Sequence, residues 1–180
     1  PPPPMAGLIS ASTHGNGYSG YGPSSSNAAQ LAIKADLIDV TDDVFFGGSG
    51  NAYLPDAQGQ LVLTEVDRFG FDHVDIASRG DIRFTDGLLW TAGNMTLTAS
   101  QIYPSTHARG EIYAGIDNPN QDQFDDARWL KIRGNGRTPD MPFSVFGELY
   151  LRAPTIDQGG IVRAPLGRIV FGNTPNIYAP

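Results

Sequence analysis

The chain has 180 residues, enough for one domain with a sizeable core or for a slice of a longer repeat array. It has no cysteine, which removes disulfides and thiolate metal sites, and a formal net charge of −7. With no Lys/Arg cluster to offset that charge, a nucleic-acid backbone is excluded as a partner.

Residues 1–30 contain no Asp, Glu, Lys or Arg. Positions 1–4 are all proline and favour an extended polyproline conformation, and 15–26 is low-complexity Gly/Ser/Tyr sequence. The segment lacks the basic n-region and continuous apolar h-region of a secretory signal, and it reads as a processed end or as a piece cut from a larger chain. Such a tail is held either by its own domain or by a neighbouring subunit, with Tyr18 and Tyr21 as anchors in the second case.

From residue 31 a phrase recurs, apolar–x–apolar–x–Ala–x–x–Ile. It reads Leu31-Ala32-Ile33-Lys34-Ala35-Asp36-Leu37-Ile38, then Met95-Thr96-Leu97-Thr98-Ala99-Ser100-Gln101-Ile102, then Leu149-Tyr150-Leu151-Arg152-Ala153-Pro154-Thr155-Ile156. A weaker copy, Val74-Asp75-Ile76-Ala77-Ser78, lacks the alanine. The alternation buries one face of a strand, and the small alanine lets the chain turn. The copies start 43, 21 and 54 residues apart. Periods of roughly 20–50 residues point to repeat architectures that bury each unit against its neighbours. The 21-residue step is one coil of a solenoid, the first step is close to two coils, and the last is two plus an insertion. Leu31, Met95 and Leu149 are then expected in one inward ladder, Ile33, Ile76, Leu97 and Leu151 in a second, and Ala35, Ala99 and Ala153 at a corner.

Further strands are expected at 44–46, 61–66, 69–76, 82–84, 88–91, 95–99 and 111–114, with a glycine-rich bend at 47–51. Gly and Pro number 22 and 14, too much punctuation for long helices, and no segment carries a three-turn helical stripe. No apolar run reaches the roughly 18–20 residues of a membrane span. The 117–142 stretch, rich in Asp, Asn, Gln and Pro, reads as an excursion from the stack with a short strand at 128–132 inside it. The expected organisation is thus a tail over 1–30 and an all-β solenoid over 31–180. An antiparallel β-sandwich suits the same short strands.

The run Ile161-Val162-Arg163-Ala164-Pro165-Leu166-Gly167-Arg168-Ile169-Val170-Phe171-Gly172-Asn173, together with the Ala-ended strands, resembles the β-helical shafts of filamentous-haemagglutinin-type bacterial exoproteins. The resemblance is best over 143–180, fair over 31–102 and absent over 1–30. It implies a right-handed parallel β-helix, secretion through an outer-membrane partner, and an adhesive or structural role at the bacterial surface or outside the cell. The family's secretion domain and a receptor-binding motif are not visible, so no site residue carries over. An exposed terminal coil is a template for another strand, so a slice of such a shaft is capped or self-associates end to end or through its tail.

Few residue constellations point to chemistry. Asp117, Asn120, Asp122 and Asp125 alternate oxygen ligands in a manner suited to calcium. Read as an EF-hand from Asn118, however, the segment has Gln123 and Trp129 where glycine and glutamate belong. Asp42-Asp43 and Asp125-Asp126 offer glycosidase-like carboxylates, but neighbours on a strand point to opposite faces. His14, His73 and His107 show no ligand spacing. Arg79-Gly80-Asp81 is a tripeptide that some cell-surface receptors read, and it is equally a simple turn. Tyr103, Tyr113, Trp129, Tyr150 and Tyr178 form a sugar-stacking strip or pack under the 117–142 excursion. No catalytic residue and no cofactor is expected. The two functional expectations are a structural or adhesive segment, with a cell-surface glycan or protein as partner, and a β-helix that binds or cleaves polysaccharide. The second requires carboxylates, an arginine and aromatics on one outer sheet, and mapping by sequence alone collects them on none.

Overall fold

The computed structural model describes residues 8–12, 29–55, 58–68, 70–118 and 123–172. All regular structure among them is β, with no helix. In chain order, β1 (Leu8–Ser12) precedes a first circuit of β2 (Gln30–Ala35), β3 (Ile38–Val40) and β4 (Val44–Phe45). A hairpin of β5 (Gly48–Pro55) and β6 (Leu61–Arg68) follows. The second circuit is β7 (His73–Ser78), β8 (Ile82–Phe84) and β9 (Gly87–Thr91), and the third is β10 (Asn94–Ala99), β11 (Ile102–Pro104) and β12 (Arg109–Ala114). After the small hairpin β13 (Ile116–Asn118) and β14 (Gln123–Phe124) come β15 (Trp129–Gly134), β16 (Glu148–Arg152), β17 (Thr155–Gly159) and β18 (Arg168–Phe171).

Three sheets collect these strands in the same order on the first three circuits, and between β15 and β16 the chain contributes no strand to the second sheet. The first sheet runs β1-β2-β7-β10-β15-β17, the second β11-β8-β3 and the third β18-β16-β12-β9-β4. A bridge from Val162 to Ile102 extends the second sheet. All pairings within the three sheets are parallel except β1 on β2. That is not the pairing of an antiparallel sandwich. Leu97 faces Ile76 in register, so the 21-residue step is one full circuit.

Alternation explains the packing. In the first sheet Leu31, Val74, Met95, Leu130 and Ile156 share one inward row, and Ile33, Ile76, Leu97 and Ile132 share the next. Ile38, Ile82, Ile102 and Val162 line the second sheet, and Val44, Leu89, Ile112, Leu151 and Phe171 the third. The fully buried members belong to one apolar cluster drawn from all three sheets. Burial of each aliphatic side chain contributes on the order of 1.5–3 kcal/mol.

Three sequence expectations are corrected by the register. The 43-residue step is a single circuit, because β2 pairs directly with β7 and the β5–β6 hairpin supplies the extra length. Leu149 and Leu151 stand in the third sheet opposite Gly110 and Ile112, rather than in the rows of Met95 and Leu97. Leu130 and Ile132 fill those rows, with Gly134 where an alanine was expected opposite Ala99. The repeated phrase therefore marks a half-buried strand followed by a turn, a pattern common to every sheet. Within 117–142, β15 is an interior strand of the first sheet.

Gly110 shows how tightly the rows interlock. A Cβ there would lie 2.5 Å from Cγ of Phe84 and 2.8 Å from Cδ1 of Leu149. The fully buried Phe84 ring occupies the space that a side chain at 110 would need. Gly110→Val is expected to cost about 1–3 kcal/mol through overpacking, read as a lower urea midpoint with an unchanged slope.

Candidate functional site

The outward face of the third sheet carries the densest set of chemistry-bearing side chains. Its strands place Phe45, Trp90, Tyr113 and Arg152 in one row and Leu88, Glu111, Tyr150 and Val170 in the next. A third row holds Arg109, Glu148 and Arg168. Glu111 sits 2.6 Å from Arg109 Nε and accepts a hydrogen bond from the Tyr113 hydroxyl. Glu148 accepts from Tyr150 at 2.7 Å and pairs with Arg168 at 3.3 Å. The guanidinium of Arg109 lies 4.4 Å from the centre of the Tyr150 ring, and that of Arg152 lies 5.0 Å from the Tyr113 ring. The Tyr150 hydrogen bond, seconded by Arg168, holds the Glu148 carboxyl below its ordinary range.

Beside this face lies a cleft of about 250 Å3 lined by Thr41, Asp42, Asp43, Asp86, Gly87, Leu88, Arg109 and Glu111. Its acidic residues come from three circuits, so the stack gathers onto one outer sheet what sequence mapping scattered. Asp42 accepts from the Asp43 amide at 2.8 Å, and Asp86 from the Gly87 amide at 3.1 Å. The cleft therefore presents fixed negative charge with one guanidinium at its wall, next to a sheet carrying two tyrosines.

Part of the face is covered. Trp90 and Tyr113 form a small apolar cluster with Ile116, and the Trp90 indole donates to the Ile116 carbonyl at 2.5 Å. The hairpin strand β13 lies against both β9 and β5, so the two excursions meet over this corner. Burial, and then its hydrogen bond to Glu111, push the Tyr113 hydroxyl up to about 12. A pKa raised in the folded state favours the protonated form, so this stabilisation is complete below pH 10 and is lost as pH rises from about 10 to 12. Tyr103 and Tyr150 are also pushed up by burial, and spectrophotometric titration is expected to lose its highest-pH phenolate step, near pH 12, in Tyr113→Phe.

The remaining expected site residues do not converge. Tyr18, Tyr21, His14, Asn120, Asp122 and Tyr178 lie outside the described residues, as does the side chain of Asp117. The Asp125 carboxylate caps its own turn at the Ala127 amide and pairs with Arg128 at 3.1 Å. Among the described residues no group of three His, Asp or Glu side chains is arranged to hold a metal ion. Tyr113 and Tyr150 share one face but are buried, at 9% and 5% exposure. Trp129 stands on the first sheet in an edge contact with His73, and Tyr103 on the second. Burial lowers the His73 pKa, and its Nε2 lies 2.9 Å from the Thr96 hydroxyl. In the Arg79-Gly80-Asp81 turn, Arg79 pairs with Asp36 at 2.5 Å and Asp81 accepts from Gln101 at 2.9 Å. Both of its charged groups are thus engaged by neighbouring circuits.

A second feature had no sequence signal. His107, Phe146 and Leu166 adopt positive φ of 59°, 60° and 54°, a region that β-turn glycines usually fill. The His107 amide donates to Val145 and the Phe146 amide to Pro165, so the three follow one another at the corner between the second and third sheets. His107 stacks on Phe146 with ring centres 5.5 Å apart. Compared with family models, curated proteins and solved structures, the chain matches none.

Proposed function

We propose that residues 31–180 form a right-handed parallel β-helix serving as a rigid structural and adhesive segment of a bacterial surface or secreted exoprotein. The observation that carries this reading is the set of continuous inward rows, in which parallel strands from successive circuits align Leu31, Val74, Met95, Leu130 and Ile156. A right-handed winding is the ordinary hand of parallel crossover connections. The resemblance of 161–173 to filamentous-haemagglutinin-type shafts supports the location and the role. A structural role is supported by the carboxylates of Asp36, Asp39, Asp72, Asp157 and Glu148, each paired with an arginine of another circuit, a use that locks circuits together. An antibody against this chain is expected to label intact producing cells or their medium, and deletion of residues 31–180 is expected to reduce attachment to host cells. Labelling confined to lysed cells would reject the reading.

A second reading is favoured by the acidic cleft. There Asp42, Asp43, Asp86 and Glu111 face Arg109 beside a tyrosine-bearing sheet, which suits hydrogen bonding to the hydroxyls of a glycan chain. Glycan-array binding that is lost in Asp42→Asn/Asp86→Asn, with folding intact, would select it. An array without signal would leave the structural role alone.

A further inference from the structure

The connections between the second and third sheets stack into one corner, and its chemistry changes along the stack. In the first two circuits the corner is acidic, with Asp42 and Asp43 between β3 and β4 and Asp86 between β8 and β9. In the next three circuits the corner projects further, and its turns carry His107, Phe146 and Leu166. The acidic turns line the cleft, and Arg109, two residues beyond His107, forms its wall. An apolar ledge therefore runs directly into an acidic recess.

The ledge is held in an exposed position. Phe143 is fully exposed, and Met141, Phe146 and Leu166 are 64%, 53% and 76% exposed. The chain is fastened on either side of Phe143. The Asp140 carbonyl accepts from Gln101 and Arg163, and the buried Ser144 hydroxyl donates to the Pro104 carbonyl. Phe146 and Leu166 keep positive φ, where glycine would stand without strain. A strained backbone that presents large apolar side chains to solvent is the mark of a contact surface.

The recess specifies the charge of whatever covers the ledge. Asp42 and Asp86 accept from the following amides at 2.8 and 3.1 Å, and among the described residues neither they nor Asp43 enters a salt bridge. Arg109 at the wall is offset by Glu111 at 2.6 Å. An anionic lipid surface would be repelled here, and a cationic ligand would be attracted.

From these observations we infer that the corner docks an extended peptide segment of a partner protein, its apolar side chains on Phe143, Phe146 and Leu166 and its Lys or Arg side chains at Asp42, Asp43 and Asp86. The third sheet has five strands, so the strand spacing puts the two ends of the corner about 19 Å apart. About six residues of extended chain cover that distance. The inference rests on the adhesive reading and names the chemistry of its partner.

A displayed library of random peptides about twice that length, selected on the full chain at low salt, tests this. Selected sequences are expected to combine apolar residues with Lys or Arg a few positions away. A selected peptide, made synthetically, is expected to bind Asp42→Asn/Asp43→Asn/Asp86→Asn about tenfold or more weakly than the parent, and to bind the parent less well as salt rises. Phe146→Gly/Leu166→Gly removes apolar contact at positions whose backbone suits glycine. Binding is expected to fall by a similar factor while the urea midpoint stays at or above the parent's. Selection with no shared pattern or an acidic one, equal binding by parent and either variant, or a midpoint lowered by the glycines would overturn the inference. Binding to vesicles of anionic lipid in place of peptides would overturn it as well. A glycan-array signal with no peptide selected would overturn it and leave the adhesive reading standing, whereas failed surface labelling strikes that reading and leaves the peptide measurements unchanged.

Discussion

Leu97→Ala is expected to lower the free energy of unfolding by about 2–5 kcal/mol, the range for removing a fully buried leucine whose surroundings collapse incompletely. Leu97 has no exposed surface and stands between Ile76 and Ile132 in the inward row of the first sheet. Collapse is restricted because backbone pairing fixes the strands on both sides. Thr98, one residue on and pointing outward, provides the control: Thr98→Ala is expected to stay within about 0.5 kcal/mol of the parent. Urea unfolding followed by circular dichroism measures both. A Leu97→Ala loss below about 1 kcal/mol would mean that the rows are loosely filled.

Trp90→Ala carries the other large effect, about 3–5 kcal/mol. By strand alternation Trp90 points away from the main core, yet it is only 2% exposed because Ile116 and Leu88 pack over it. Phe45 adds an edge-on ring contact at 5.1 Å. Trp90→Phe retains most of the apolar area and loses the indole hydrogen bond to Ile116, a change worth about 1 kcal/mol. The gap between the two substitutions separates packing from hydrogen bonding. Trp90→Ala should also speed proteolysis within 116–128 while the three sheets stay folded. Equal cleavage of parent and variant would show that Trp90 does not hold that hairpin down.

Most strand positions were legible because alternation and turn residues are local properties, but the glycine-rich stretch at 47–51, read as a bend, opens strand β5 and pairs with β6. The pair Ile76 and Leu97 was legible as well, since nothing interrupts the 21 residues between Val74 and Met95. Which strand pairs with which was legible only there. The step from Leu31 to Val74 contains a hairpin whose strands alternate like those of the sheets, so its length resembled two circuits. Leu149 and Leu151 were placed on the wrong sheet for the same reason: an in–out pattern does not say which sheet a strand joins. The cleft suffered most, because Asp42, Asp86 and Glu111 meet only when the intervening hairpin is skipped. The left-handed corner left no trace at Phe146 and Leu166, which are not residue types that announce positive φ, and a lone His107 is too weak a sign on its own.

The parallel pairing of circuits also fixes how the chain responds to force. Hydrogen bonds between strands run along the direction in which circuits stack, so tension in that direction opens one edge strand at a time instead of shearing a whole sheet. The segment from Val74 to Met95 rises by a single strand spacing, about 4.8 Å, while its 21 residues extend to about 70 Å when pulled straight. Each circuit thus stores more than ten times its own rise in releasable length. A stack of parallel strands built this way lengthens in discrete increments under load and shortens again as the strands re-pair.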